Sequence, residues 1–381
     1  KQLSVLIGVN LVDMIGLMLV LPILPFFASD LGATPERIGW LIAAFSIAQL
    51  IAAPFWGRLS DRYGRRPALV IGLLASAIAY VVFAYSTSVW MLFLSRLVQG
   101  AGGGTPGVAQ AYVADTVKPR DRAKALGWLS ASTNVGVTLG PVIGGLATHL
   151  SRSAPGLIAA ALCLVNAWFA WRWLPETRPT AERLANLSKK PVWHAAWVVL
   201  RHPTRTVPRF VWIYGIGMLA FSALTSLIAL FLKEEHGITE VTIGYFFTYI
   251  GVLNIVMRLV LLGPGVERVG ETRAMRFGAA FLIAGMLAYP VAGNLWVLVA
   301  LMPLVPVGTA LLFPATTSLM SRYSDKAEVG TTMGVAQTYA GLARVAAPIV
   351  GTIIFQRIGH QWPFFVAAIM MALVSVLAFQ V

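Results

Sequence analysis

The sequence predicts an all-α polytopic membrane protein, with twelve transmembrane helices in two pseudo-symmetric six-helix bundles. Three observations predict this fold class: an apolar composition, a series of long apolar runs and an internal repeat. Of the 381 residues, 58% are hydrophobic and only 12% are charged, whereas ordinary soluble domains carry roughly 25% charged residues. A soluble protein of this composition would lack the polar groups to cover its surface. The apolar runs are also too long and too numerous for one buried core.

The apolar runs define the predicted spans. Each holds about 20 residues, which as a helix rising ~1.5 Å per residue cross a hydrocarbon layer of ~30 Å. The first run lacks a signal-peptide cleavage pattern and is too long for the apolar part of a signal peptide, so it counts as a span. The twelve spans are 3–27, 37–57, 67–86, 89–115, 124–149, 154–174, 211–232, 239–262, 274–292, 295–320, 328–355 and 361–381.

The net charge of +14 is distributed unevenly among the connections. Lysine and arginine are concentrated in the even-numbered connections and the central loop, and they are scarce in the odd-numbered ones. By the positive-inside rule, this asymmetry places both termini and the central loop in the cytoplasm of a multi-pass plasma-membrane protein, which in a bacterium is the inner membrane. The basic charge therefore follows topology, and nucleic acid is a poor candidate partner.

The longest polar interruption divides the chain into two sets of six spans. We expect an N-terminal six-helix bundle at 1–174, a cytoplasmic linker at 175–210 and a C-terminal six-helix bundle at 211–381. Within the linker, the segment 191–202 places two tryptophans one helical turn apart beside basic residues, as in a helix that lies on the membrane surface. This segment is either a regulatory element or a simple tether.

The two halves repeat one another. "GRLSDRYG" at 57–64 matches "GPGVERVG" at 263–270, and the segment 127–145 matches 334–352 at nearly the same offset. Parallel six-span repeats are typical of transporters whose site lies between the halves, near the bilayer midplane. The sequence has no ATP-binding loop, no nucleophile–base pair and no metal-ligand cluster, and its single cysteine excludes an internal disulfide. We therefore expect a transporter that is not an enzyme and needs no cofactor or metal.

The loop "GRLSDRYGRR" at 57–66 combines glycines for a tight turn with one acid and four arginines. The arginines alone would fit any loop that obeys the positive-inside rule. With the acid and the glycines at fixed spacing, the loop resembles the signature between spans 2 and 3 of the major facilitator superfamily. The matching residues are Gly57, Leu59, Asp61, Arg62, Gly64, Arg65 and Arg66.

This resemblance implies a gating role for the loop. Asp61 is expected to contact the N-terminus of span 11, where a carboxylate at the positive end of a helix is worth ~0.3–1 kcal/mol when exposed and up to ~2 kcal/mol when partly buried. Asp115, at the end of span 4, is expected to pair with the loop arginines and with Arg122. Together with the signature residues they would form a cytoplasmic charge latch. The alternative is that Asp115 only solvates the end of its helix.

"RLVQGAGGG" at 96–104 resembles the span 4 motif of the same superfamily, with Arg96 as its buried arginine. Its glycines allow close approach of neighbouring helices. In proton-coupled members this arginine is thought to influence the protonation of nearby acids, and the resemblance implies that role for Arg96. Two alternatives remain open, since Arg96 could snorkel towards the outer surface or bond backbone carbonyls.

"GVTLGPVIGG" at 136–145 is the most informative motif. Small residues recur every four positions and make one smooth helix face, while a proline removes a backbone hydrogen bond. A generic close-packing face is the alternative interpretation, but the whole string resembles the span 5 signature of drug:proton antiporters. The residues that carry it are Gly136, Gly140, Pro141, Gly144 and Gly145.

Asp13 lies within the apolar stretch "LVDMIGLMLV", roughly ten residues into span 1. A charge near the bilayer centre costs a few kcal/mol, so an acid there is by default a candidate functional residue. Asp13 is either an exchangeable proton site or the structural partner of Arg96 or Arg344. Asn10, one turn earlier, could hydrogen-bond the acid or a substrate. Arg344 in span 11 could instead accept an anionic or zwitterionic substrate.

The first half also resembles tetracycline exporters and their twelve-span multidrug relatives, from "LVDMIGLMLVLPILP" to "LPETR" after span 6. Unlike tetracycline exporters, this chain lacks acids in spans 3 and 9 and a histidine in span 8, which puts tetracycline itself in doubt. The resemblance implies a monomeric antiporter that exports hydrophobic or amphipathic small molecules in exchange for protons, with the proton gradient as its energy source. The alternatives are an uncoupled facilitator, a lipid, sugar or siderophore transporter on the same fold, or a non-transporting sensor.

Overall fold

The computed structural model describes residues 2–118, 121–177, 197, 199, 201, 205–261, 269–324 and 329–380. Within these ranges the chain is helical and contains no β-strand. The helices in the described ranges are α1 (Gln2–Val20), α2 (Leu24–Asp30), α3 (Pro35–Tyr63), α4 (Arg65–Ala84), α5 (Val89–Gly102), α6 (Thr105–Thr116), α7 (Arg122–Thr148), α8 (Ala154–Trp173), α9 (Thr206–His236), α10 (Ile243–Leu261), α11 (Glu271–Val291), α12 (Leu295–Leu301), α13 (Leu304–Tyr323), α14 (Val329–Arg357) and α15 (Trp362–Phe379).

These fifteen helices correspond to twelve spans because three predicted spans are broken in two. The predicted spans 3–27, 89–115 and 295–320 become α1 with α2, α5 with α6, and α12 with α13. Proline lies at each break, in the first turn of α2 and of α6 and at the N-cap of α13. Proline has no N–H to donate and is tolerated where a helix begins, so each break restarts the helix at a proline.

The helix count agrees with the prediction of twelve spans. Among the described residues, nine segments are long and apolar enough to cross a bilayer on their own, and Ile243–Met257 in α10 is a shorter apolar helix. The helices α5 and α6 are each too short alone, and α7 is rich in glycine, serine and threonine. Large apolar side chains are also widely exposed, such as Ile51 at 74% and Trp90 at 79%. Such a surface suits lipid and not water.

Contacts within the chain divide it into two compact units. The first comprises Lys1–Leu187 and Ile238–Gly251, and the second comprises Ser188–Gly237 and Val252–Val381. The predicted linker and its 191–202 segment, and the 263–270 half of the shorter repeat, lie largely outside the described residues. The longer repeat falls on α7 and α14, each of which contains an internal proline.

In the first unit, α1 packs along α7 through the glycine face predicted for span 5. A Cβ at Gly136 would lie 2.6 Å from the Cβ of Met14, and one at Gly140 would lie 2.6 Å from the Cβ of Met18. A Cβ at Gly144 would overlap the carbonyl of Leu19. The glycines therefore let the two backbones approach to a distance that no larger residue permits.

Gly145, the last residue of the motif, packs against a different helix. A Cβ at Gly145 would lie 3.0 Å from the Cα of Gly244, which belongs to the same unit. The carbonyl of Pro141 would lie 2.9 Å from a Cβ at Gly244. The motif therefore packs α7 against α1 on one face and against the start of α10 on another.

In the second unit, α9 packs on α14 and α15, and α11 packs on α13 and α15. The contact between α11 and α13 again depends on small residues, because a Cβ at Gly278 would lie 2.9 Å from the carbonyl oxygen of Gly308. At one end of this unit the C-termini of α9 and α11 lie near the start of α15.

Candidate functional site

The carboxylate of Asp13 lies partly buried on α1 and faces the beginning of α6. The hydroxyl of Thr105, the first residue of α6, donates a hydrogen bond of 2.8 Å to Oδ2 of Asp13. The N-terminus of a helix carries partial positive charge, which stabilises a nearby carboxylate. The break in span 4 therefore supplies Asp13 with both a hydrogen-bond donor and a favourable helix end.

The break itself is stabilised by side chains of α3. Nε2 of Gln49 donates to the carbonyl of Gly103 at 2.9 Å, and the indole N–H of Trp56 donates to the carbonyl of Ala101. A broken helix within a membrane is tolerated where its free backbone groups find such partners inside the protein. These two bonds hold the start of α6 in place opposite Asp13.

A cavity of about 210 Å³ opens beside this region, between α1, α6 and α7. Asn10 lies one helical turn before Asp13, and Pro106 directly follows Thr105, so the cavity begins next to the carboxylate. The described lining holds hydrogen-bonding and apolar side chains but no charged one. The lining residues are Asn10, Pro106, Gln110, Leu126, Leu129, Ser130 and Thr133.

The predicted partnership between Asn10 and Asp13 does not form in this structure. The amide nitrogen of Asn10 instead donates to the hydroxyls of Ser132 and Thr133, at 2.9 and 2.7 Å, and to the carbonyl of Leu129 at 3.1 Å. The glycine face of α7 brings α1 close enough for these bonds. Asn10 therefore ties α1 to α7 while it lines the cavity.

Arg96 is wholly buried on α5, with an exposed fraction of 0%. This burial contradicts the alternative that Arg96 snorkels to the outer surface. Its guanidinium lies 5.7 Å from the centroid of the Phe83 ring, and none of its three nitrogens has a hydrogen-bond partner among the described residues. The alternative that it bonds backbone carbonyls is therefore also wrong for this conformation.

Asp13 and Arg96 belong to one polar cluster but form no ion pair in the described part of the chain. Tyr80 on α4 is close enough to interact electrostatically with both of them. Its hydroxyl accepts a hydrogen bond from Nε2 of Gln99, and it lies 3.8 Å from the Cβ position of Gly16 on α1. Tyr80 is therefore a shared neighbour of the acid and the arginine.

Arg344 belongs to the second unit, where it is exposed on α14. Its Nε donates to the carbonyl of Ala340 in its own helix at 3.3 Å. The predicted pairing of Arg344 with Asp13 joins residues of two different units, and it stays a prediction, as does the contact of Asp61 with span 11.

A charge network around Arg65 joins the end of α3, the start of α4 and the end of α6. NH1 of Arg65 lies 2.7 Å from Oδ1 of Asp61, and Nε lies 2.8 Å from Oδ2 of Asp115. NH1 also donates to the hydroxyl of Ser60 at 2.6 Å. The structure therefore brings together the acid of the loop, one of its arginines and the acid that ends span 4.

The other predicted members of the latch lie around this network. Arg122 does not join Asp115; its Nε donates to the carbonyl of Val117 at 3.1 Å, at the C-terminus of α6 where a cation is favourable. Arg62 lies over the ring of Tyr63, and Arg66 over that of Trp171. Gly57 lies inside α3 and Gly64 begins α4 with a φ of 104°.

Sequence reasoning missed several residues of these sites, among them Thr105, Tyr80, Gln99 and Glu176. Glu176 lies against Gly64 at the N-terminus of α4, and its Oε1 accepts from the backbone N–H of Arg66 at 3.5 Å. A signal for Thr105 was available, because a hydroxyl directly follows a run of three glycines and precedes a proline. Tyr80 and Gln99 carried no such local signal.

Taken together, the apolar helices define a multi-pass membrane protein, and polar groups are buried among them. The profile of the Major Facilitator Superfamily matches residues 6–344 and 214–381. The chain belongs to that superfamily, and the family predicted from the loop after span 2 is confirmed.

The chain is similar to several drug-resistance proteins. The chain is 28% identical over 368 residues to the tetracycline resistance protein of class B from Escherichia coli, covering 93% of this chain and 88% of that protein. It is 30% identical over 366 residues to the class C protein of the same species, covering 95% of this chain and 91% of that protein. It is 28% identical over 379 residues to multidrug resistance protein 2 of Bacillus subtilis (strain 168), covering 94% of this chain and 90% of that protein.

Two solved structures share the fold. The nucleoside transporter NupG superimposes with a TM-score of 0.80 at 16% identity, covering 100% of this chain and 99% of that one. The human organic anion transporter MFSD10 superimposes with a TM-score of 0.71 at 24% identity, covering 99% of this chain and 98% of that one. The predicted fold class is therefore confirmed.

Proposed function

We propose that this protein exports hydrophobic or amphipathic small molecules in exchange for protons, with Asp13 as the exchangeable proton site. The observation that carries the proposal is the place of Asp13, partly buried within a membrane span and next to a polar cavity. The tetracycline and multidrug resistance relatives support drug-like substrates.

The hydrogen bond between Thr105 and Asp13 suits both protonation states. A hydroxyl donates to an ionised carboxylate and accepts from a protonated one, so Thr105 keeps its bond after a simple rotation of its proton. Apolar surroundings favour the neutral acid, whereas the start of α6 and the charge of Arg96 favour the ionised one. A group balanced in this way binds and releases a proton when its hydration changes.

The cavity lining supports uncharged or amphipathic substrates. Asn10, Gln110, Ser130 and Thr133 offer hydrogen bonds, and Leu126 and Leu129 offer apolar contact. Its volume is below the ~300–1,000 Å³ of typical ligand sites, so it accommodates one part of a drug-sized molecule. Because substrate and proton bind at adjacent positions, each is expected to weaken the binding of the other, and this coupling is reciprocal.

Asp13→Asn tests the proposal in proteoliposomes loaded with a lipophilic dye. The amide imitates the protonated acid at nearly the same size, so export driven by a pH gradient should be abolished while exchange of labelled for unlabelled dye persists. The pH dependence of dye binding should flatten. Asp30→Asn makes the same change at an exposed position at the end of α2 and should leave all three properties unchanged.

Other outcomes separate the alternatives. Full gradient-driven export by a stable Asp13→Asn protein would contradict the proposal. Loss of folding, restored by neutralising Arg344, would show that Asp13 is a structural partner instead. If dye flux through the unmodified protein does not depend on the pH gradient, the protein is a facilitator. If no dye, lipid, sugar or siderophore in a panel is transported, a sensor is favoured.

We also propose an inner-membrane monomer with both termini in the cytoplasm, in which the cluster of Asp61, Arg65 and Asp115 gates the cytoplasmic side. The single cysteine, Cys163, is buried, so a Cys163→Ala protein provides a background for labelling. A cysteine introduced at Lys118 should react with impermeant reagents only from the cytoplasm, and one at Glu234 only from outside. The reverse pattern would contradict the proposed orientation.

A further inference from the structure

A second cavity lies within the second unit, at the end of α9 and α11, and the proposed transport cycle does not use it. Its volume is about 340 Å³, which is within the range of small-molecule sites. The residues that line it are Phe231, Glu235, His236, Pro290, Val291, Ala292, Gly293 and Gln361. On the topology proposed above it opens outside the cell.

The groups around this cavity favour a positive charge. The C-termini of α9, at His236, and of α11, at Val291, both border it, and the C-terminus of a helix carries partial negative charge. The carboxylate of Glu235 adds a full negative charge. Two helix N-termini oppose these groups, that of α15, with Gln361 as its N-cap, and that of α12, whose N-cap Asn294 directly follows Gly293. The partial charges of the helix ends largely cancel, so the carboxylate of Glu235 sets the sign of the site.

Two histidines make the site sensitive to protons. Nδ1 of His360 lies 2.6 Å from Oε1 of Glu235, and the His360 ring stacks on Phe355 with centroids 4.4 Å apart. The rings of His236 and Phe231 meet edge to face with centroids 5.8 Å apart, and the buried Nε2 of His236 has no partner among the described residues. A protonated His360 neutralises Glu235, whereas a neutral one leaves the carboxylate charge free to act on a ligand.

Few other charged side chains lie near the pair of Glu235 and His360. On α9 they are Lys233 and Glu234, and on α14 Arg357. Lys233 and Arg357 are both engaged in interactions of their own. The lining segments from α11 and α15 contribute no titratable side chain.

We propose that this cavity binds a small organic cation, such as an aryl-ammonium, in competition with the proton on His360. The cation would place its charge against Glu235 and the two helix C-termini, and its ring against the exposed side chain of Val291. A metal ion does not suit the site, because the described residues contain no group of three or more metal-ligating side chains.

Binding of benzyltrimethylammonium to the purified full-length protein tests the proposal, since this probe keeps its charge at every pH. Glu235→Gln should weaken binding about tenfold, because it removes a charge-assisted contact. Glu234→Gln makes the same change at the adjacent exposed acid, which does not line the cavity, and should leave affinity unchanged. Glu235 is itself exposed, so the isosteric amide preserves folding.

The pH profile and a neutral probe complete the test. Affinity should be higher when His360 is neutral than when it is protonated. His360→Gln should weaken the dependence of affinity on pH, and adding His236→Gln should remove what remains of it. The uncharged isostere neopentylbenzene should bind at least about tenfold more weakly.

Any of four results would overturn the proposal. They are no probe binding, equal effects of Glu235→Gln and Glu234→Gln, equal binding of the neutral isostere, and an affinity that falls as pH rises. Repeating the comparison in the Asp13→Asn protein separates this site from the transport cavity. The difference between Glu235→Gln and Glu234→Gln should persist there even if the proposed role of Asp13 is wrong.

Discussion

Two buried arginines of the first unit have opposite surroundings. Arg65 is 5% exposed and contacts two carboxylates and a hydroxyl within 2.9 Å. Arg96 is 0% exposed, lies over the Phe83 ring and has no hydrogen-bond partner among the described residues. Both are arginines in motifs of the same superfamily, yet only one is electrostatically satisfied.

The difference separates two uses of charge in a transporter. A cation held by several fixed anions stabilises one conformation and makes leaving it costly. A cation without fixed partners stabilises little, but its field acts on any titratable group nearby, here Tyr80, which also interacts with Asp13. We infer that Arg65 serves gating and that Arg96 serves proton exchange at Asp13.

The largest expected effect is that of Arg65→Met. Removing this cation leaves the carboxylate of Asp115, whose side chain is 5% exposed, without its contact to Arg65. Breaking a buried pair in this way typically lowers the free energy of unfolding by about 3–5 kcal/mol. Thermal unfolding of the purified protein measures the loss.

Arg62→Met is the matched control, because Arg62 is exposed and lies over Tyr63. Its effect should stay within about 0.5 kcal/mol. Adding Asp115→Asn to Arg65→Met should recover part of the stability, since the two residues form one network. Equal stability of the Arg65→Met and Arg62→Met proteins would remove the basis of the comparison.

The second effect concerns how α1 is held. Gly140→Ala would place a Cβ 2.9 Å from the carbonyl oxygen of Ile15 and 2.6 Å from the Cβ of Met18. Overpacking of this kind costs about 1–3 kcal/mol, and the displacement of α1 should slow export as well. Gly127→Ala lies in the same helix with no atom within 4 Å of its new Cβ. The free energy of unfolding of the Gly127→Ala protein should stay the same or rise, by up to about 1 kcal/mol. If both variants were destabilised, the cause would be a general effect of alanine on α7 and not the packing of α1 against it.

The third effect tests the hydrogen bond to Asp13. Thr105→Val keeps the shape of the side chain but removes the donor to Asp13 Oδ2. A hydrogen bond to a charged group is worth about 1.5 kcal/mol or more, so gradient-driven export should fall about tenfold. Thr105→Ser keeps the hydroxyl and should transport at nearly the normal rate. If the Thr105→Val and Thr105→Ser proteins export at the same rate, the hydroxyl has no part in proton coupling.

The smallest expected effect on stability is that of Arg96→Met. Replacing an unpaired buried charge by an apolar side chain of similar length is often neutral or stabilising. Thermal stability should therefore hold or rise while proton-driven export is lost. Destabilisation as large as that of Arg65→Met would show that Arg96 has a stabilising partner, and the contrast between the two arginines would fail.

Much of the fold was predictable because hydropathy is a local sum over neighbouring residues. The predicted span 154–174 became Ala154–Trp173, and the predicted span 361–381 became Trp362–Phe379. The three broken spans were missed because a break hardly lowers the mean hydropathy of a run. The prolines at 25, 106 and 303 were the available signal.

The sequence by itself determined which charges enter the membrane and which helix faces are small, since both follow from residue type and spacing along one helix. It singled out Asp13 and Arg96, and it predicted the glycine face that packs α7 against α1. Only the tertiary structure decided which side chains are in contact. Thr105 and not Asn10 bonds Asp13, and Tyr80 interacts with both Asp13 and Arg96. These residues are separated by tens of positions in the chain, and a hydrogen bond depends on tenths of an ångström. That precision is set by how helices cross, which no local pattern of residues contains.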